Sequence, residues 1–244
     1  VTSTVGSING DDDKNFSGTG VDITGTSNVV KSADDITGYI GVDIDGNLNE
    51  VSAVNDIVGQ NDGVIIDGNT NVVTAGGAIT GTDADGLEID GDNNQVTASS
   101  VSGGNNAIDI DGDSNDVTVN GDITADTGLG GYGSGVLING TNNTVSGEDI
   151  GVSGTGQWGV AITGNTNTVT ADSISGYSED GVEIDGDNNT VDSAGAISST
   201  NADGVDIDGD SNNVDAGSIT GGESGVVISG NTNDVDVDGL IDGN

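Results

Sequence analysis

The chain has no cysteine, proline, methionine, histidine or arginine, and its two basic residues are Lys14 and Lys31. Each absence removes a class of explanation. Without cysteine there is neither a disulfide framework nor a thiol site, so the redox compartment is left unmarked. Without histidine, cysteine or arginine the usual nucleophiles, zinc ligands and phosphate clamps are missing, and the chain is expected not to be an enzyme. A carboxylate pair can hydrolyse a polysaccharide, but such sites need aromatic and basic subsites, and only five aromatics occur in 244 residues. No apolar run approaches the ~20 residues that cross a bilayer, so membrane insertion is not expected. With 42 carboxylates against two lysines the formal net charge is -40, which repels nucleic acid and anionic surfaces and leaves cations as partners. The first residue is Val1 and no Met follows, which suggests a mature product whose signal or pro-segment has been removed, an arbitrary tag-free boundary being the alternative.

What the chain does contain is one pattern. Gly181 to Val191, GVEIDGDNNTV, recurs in ten copies that begin at Gly20, Gly41, Gly63, Gly86, Ala107, Gly135, Gly159, Gly181, Gly204 and Gly225. The copies are most often 21 to 23 residues apart and at most 28. A fixed period of this size with alternating apolar residues marks a solenoid, and the glycine and β-branched content argues against helices. The expected fold is all-β: a single-stranded parallel β-helix, or β-solenoid, of about ten to eleven coils of roughly 22 residues with a triangular section. It forms one domain over 1–244, with 1–19 as a partial first coil and 20–244 as ten repeats.

Within each copy the fourth position is Ile, from Ile23 to Ile228. Alternation at period two puts it on the inner face of a short strand, and stacking turns the ten into a ladder. The sixth position is always Gly, from Gly25 to Gly230, as a corner of positive φ requires. Three residues later every copy has an asparagine: Asn28, Asn49, Asn71, Asn94, Asn115, Asn143, Asn167, Asn189, Asn212 and Asn233. Stacked amides bond to one another or cap the turn, so this row is assigned a structural role. Val30 through Val235 open a second face, and Ile36 through Ile241 supply a third.

The outward positions carry the candidate chemistry. Carboxylates occupy the third and fifth positions at Asp43 and Asp45, Glu88 and Asp90, Asp109 and Asp111, Glu183 and Asp185, and Asp206 and Asp208. The seventh position adds Asp92, Asp113, Asp187 and Asp210. Stacked like charges repel, and calcium, which takes six to eight oxygens at flexible geometry, is the natural neutraliser. The alternative is a solvated acidic face of the halophilic kind. Neither an EF-hand pattern nor the nonapeptide GGxGxDxUx is present, and Gly130-Gly131-Tyr132-Gly133 lacks its aspartate. The aromatics Phe16, Tyr39, Tyr132, Trp158 and Tyr177 all fall just before a leading glycine, on one corner, as a contact line would. Outward apolar residues at Ile65, Leu137, Ala161 and Val227 suit lateral packing between solenoids.

The GVxIxGxxNxV copies resemble the right-handed parallel β-helix repeats of bacterial surface proteins, such as autotransporter passengers and filamentous-haemagglutinin-type adhesins. The resemblance covers essentially the whole chain and implies secretion, right-handed winding and a surface or matrix role. It carries over no catalytic residue, since the basic catalytic residues of pectate-lyase-like β-helices have no counterpart here. No helix, proline or charged cap flanks the repeats between Val1 and Asn244, and an open coil offers unpaired backbone to the next molecule. The expectation is end-to-end self-association into an extracellular filament, sheath or matrix fibre, with an adhesin segment of a larger surface protein as the alternative. An ice-binding solenoid would need a regular threonine row; Thr37, Thr80, Thr124 and Thr220 begin one that Val58, Gly151 and Asp242 interrupt.

Overall fold

The computed structural model describes residues 7–10, 18–128 and 132–244. Val1, the acidic triplet Asp11 to Asp13, Lys14 and the aromatic Phe16 lie outside the described residues. The described chain is all-β, without a helix, and its strands pair in parallel from coil to coil. Most coils contribute three short strands, as in Val64–Asp67, Val72–Ala75 and Ala78–Gly81. In two late coils the second and third strands run together, as Thr190–Ser199 and Asn213–Gly221.

The first face is a ten-stranded sheet running from Val21–Thr24 to Val226–Ser229. Its register places Ile23, Ile44, Ile66, Ile89 and Ile110 on one line, continued by Ile138, Ile162, Ile184, Ile207 and Ile228. From Ile44 to Ile207 these side chains are at most 2% exposed. The valine row Val30 to Val214 and the third-face row Ile36 to Ile219 meet them in one continuous apolar cluster. The short strand Ile8–Asn9 pairs with Ile36–Gly38, so the partial first coil is in register with the rest.

The turn after the first strand is built the same way each time. Gly25 through Gly230 take φ between 131° and 158°, where a side chain is strained. A Cβ on Gly186 would also collide with the carbonyl oxygen of Gly164 in the coil below. Two residues on, a non-glycine residue adopts the left-handed conformation in every coil, with φ of 57° to 61° from Ser27 to Thr232. The asparagine follows. Its Oδ1 accepts from both the backbone N–H and the Nδ2 of the asparagine one coil earlier, as Asn49 does from Asn28 at 2.9 and 3.1 Å. Its Nδ2 also donates to the glycine carbonyl of the preceding turn, as Asn49 does to Gly25 at 2.9 Å. These bonds repeat to Asn233, and Asn49 through Asn212 are buried. The amides therefore do both jobs that stacking allows: they bond to one another and close the turn.

Candidate functional site

The acidic rows lie where alternation puts them, outward on the first-face sheet. Asp22 stacks on Asp43, Glu88 on Asp109 and Glu183 on Asp206 in the third-position row. Asp45 stacks on Asp67, Asp67 on Asp90, Asp90 on Asp111, and Asp185 on Asp208 in the fifth-position row. Asp67 thus joins two groups that the sequence left apart, and Asp22 extends the first. The two rows differ in environment. Asp45, Asp90, Asp111, Asp185 and Asp208 are exposed, whereas Asp43, Glu88, Asp109, Glu183 and Asp206 are half-buried.

The cause is a row that the sequence pattern marks only by its aromatics: the residue just before each leading glycine. Asp62 Oδ1 accepts the N–H of Asp85 at 3.0 Å, Asp85 that of Asn106 at 2.8 Å, and Asn106 that of Ser134 at 3.0 Å. The pattern returns from Asp180 to Asp203 at 2.8 Å and from Asp203 to Ser224 at 2.6 Å. These side chains cap the corner and crowd the third-position carboxylates beside them; Asn106 Nδ2 reaches Asp109 Oδ2 at 3.1 Å. The signal was present, since the position is Asp, Asn or Ser in seven coils.

Seventh-position carboxylates are partly committed too. Asp92 Oδ1 accepts the N–H of Asp113, Asp113 that of Thr141, Asp187 that of Asp210, and Asp210 that of Asn231, all at 2.6 to 2.9 Å. Each has its second oxygen left for solvent or an ion. Among the described residues one carboxylate group converges, and it combines the corner and third-position rows: ligand atoms of Asp62, Asp85 and Glu88 lie within 4.8 Å of one another. Asp62 and Asp85 are buried. Three such oxygens with a half-buried neighbour are a hard, anionic donor set that suits a divalent cation such as calcium.

The electrostatics carry the mark of this crowding. Burial first, then Asp85, Asp62 and Asp109, push Glu88 up to about 7. Burial, then Asp85 and Asp111, push Asp109 up to about 6. Burial raises Asp180 to about 6, with Asp206 and Asp203 adding to it against the hydrogen bond from Asp203. Desolvation and like charges also raise Asp43, Glu183 and Asp206. The single ion pair among the described residues, Lys31 with Glu50 at 2.6 Å, is exposed and lies on the second face.

Of the aromatics, Tyr39, Tyr132 and Tyr177 are exposed and Trp158 is half-buried. Tyr132, Trp158 and Tyr177 belong to three consecutive coils, while Tyr39 stands several coils away. Trp158 occupies the corner row and lines a groove of about 460 Å³ with Leu137 and Ala161. The third-face row beginning at Thr37 gains Ser102, Ser175 and Ser198 but keeps its breaks at Val58, Gly151 and Asp242. On the second face Ser52, Thr74, Thr97, Thr118, Ser146 and Thr170 form an unbroken hydroxyl row.

No protein-family model matches the chain, and neither curated proteins nor solved structures give a match. The parallel β-solenoid is shown by the coordinates themselves. The likeness to bacterial surface repeats stands on the repeated motif alone.

Proposed function

We propose that the chain is a secreted structural rod that stacks end to end into an extracellular filament, sheath or matrix fibre, with calcium bridging its acidic corner. One observation carries this reading: parallel strand pairing and the asparagine ladder repeat from coil to coil, so one edge of a coil is complementary to the opposite edge of another. Between coils that edge is fully covered: Ile44 to Ile207 are at most 2% exposed, and each asparagine of the ladder accepts from the one before it. A coil of a second copy laid on such an edge would bury the isoleucine rows in the same way and add a rung to the asparagine ladder. Contact between one edge and the opposite edge of a second copy is heterologous and does not close, which is how fibres grow. Calcium would be held by Asp62, Asp85 and Glu88, whose ligand atoms lie within 4.8 Å of one another.

The same edge could instead receive further coils of a longer polypeptide. That is the alternative reading, an adhesin or passenger segment of a larger surface protein, and it rests on the same repeated bonding between coils. Negative-stain electron microscopy of the purified chain, with millimolar calcium and with a chelator, separates the two. Long uniform fibres that shorten on chelation are expected. Short isolated rods at high concentration in both conditions would overturn the polymer and favour the segment.

A further inference from the structure

The groove beside Trp158 interrupts the acidic face in a specific way. Asp109, Leu137, Ala161 and Glu183 are register partners on four consecutive coils. The row therefore reads carboxylate, apolar, apolar, carboxylate. Asp111 and Asp185 reinforce the two ends from the neighbouring row, and Trp158 lines the same groove; all seven of these residues belong to it. The two ends are three coil steps apart, about 14 Å at ~4.8 Å per step.

We propose that this groove binds a linear aliphatic polyamine in extended form, with a terminal ammonium at each carboxylate pair and the methylene chain across Leu137, Ala161 and Trp158. Three features of the site select that chemistry together. Carboxylates at both ends, with no basic side chain near them, require a cation at each end. Between them Leu137 and Ala161 remove methylenes from water, while Asn139 and Thr163 in the neighbouring row leave a polar margin along the same groove. The indole adds attraction for an ammonium or its adjoining methylenes at the ring face. A single lysine side chain reaches one end only. The site is independent of end-to-end stacking, because it lies on the flank of the rod, on coils well inside the described chain.

Trp158 is the single tryptophan, so its emission reports the groove directly. The purified chain is titrated with a series of linear α,ω-diamines of increasing length and with spermine, at about 0.15 M salt where exposed charges are screened. A saturable one-to-one change is expected, with affinity rising to a maximum when the terminal ammoniums are about 14 Å apart. The double variant Asp109→Asn/Glu183→Gln weakens binding about tenfold or more, as loss of charge-assisted hydrogen bonds does. These amides relieve repulsion between half-buried like charges, so the fold is not at risk. Asp192→Asn/Asp215→Asn removes the same charge from the second face, where both are exposed, and leaves the affinity unchanged. Affinity that follows total charge without regard to length would overturn the proposal. So would an equal response to magnesium, or a lysine-rich peptide that binds more tightly than every diamine.

Discussion

Asn143 uses both ends of its amide. Its Oδ1 accepts from the N–H and Nδ2 of Asn115, and its Nδ2 donates to the carbonyl of Gly112 and to Asn167. Replacing it by Ala leaves several buried groups unpaired, and Asn143→Ala should cost about 2–4 kcal/mol by urea denaturation, at ~1–3 kcal/mol per orphaned group. Ser134 is the counter-case. It is fully buried, and its Oγ is the one buried side-chain polar atom without a partner among the described residues. Ser134→Ala should be neutral or slightly stabilising, because the hydroxyl is desolvated with nothing in return. A loss comparable to that of Asn143→Ala would mean that Ser134 has a bond not seen here. A third position tests backbone strain. Thr166 sits at φ 60°, exposed, in the left-handed region where Asn93, Asn142 and Asn188 sit in other coils. Asn tolerates that region and a β-branched residue does not. Thr166→Asn should therefore raise stability by about 1 kcal/mol, and no gain would show that the turn holds threonine without strain. The asparagine and isoleucine ladders could be read from the sequence because one residue type serves at all ten levels. The left-handed position could not, because Ser, Leu, Thr and Asn all occupy it and its demand is on the backbone.

Positions two residues apart on one strand are not equal in environment, and the first face illustrates it. Alternation alone says that the third and fifth positions both point outward, and they do. It does not say that the third lies against a capped corner, because the corner row mixes Asp, Asn, Ser and Trp and serves through an acceptor oxygen common to the first two. Half-burial of Glu88 and its neighbours follows from that corner and sets the pH dependence. A carboxylate whose folded pKa is raised is better tolerated protonated, so its contribution favours folding below its ordinary pKa and is lost as pH rises through the folded value. For Glu88 the window runs from its ordinary 4.5 to about 7, and for Asp109 and Asp180 from 3.8 to about 6. In chelator, thermal melting should therefore occur at a lower temperature at pH 8 than at pH 5. Glu88→Gln should raise the pH 8 melting temperature and flatten the slope. A melting temperature that climbs between pH 5 and pH 8 would contradict the crowding described here. Calcium at pH 8 should restore what the rise in pH removes, and more effectively than magnesium, which holds its water and demands a stricter octahedron.

For the whole molecule the governing quantity is a net charge of -40. Under the proposed stacking, two copies approaching end to end would repel through the field of the whole rod and attract through an edge only one coil wide. Screening weakens the first and leaves the second, so association should increase as the Debye length shrinks from ~30 Å at 0.01 M salt to ~10 Å at 0.1 M. If calcium binds the carboxylates as proposed, rather than only screening them, it should reach the same state at far lower ionic strength. If growth proceeds through the coil edge, Ile228→Asp/Ile241→Asp should abolish it at every salt concentration. The melting temperature of the isolated rod should barely move, because both side chains are already about half exposed. Light scattering followed by electron microscopy reads both results. Salt-dependent growth that survives the double variant would place the contact on the flanks, at outward apolar residues such as Ile65 and Val227, and the rods would then associate side by side.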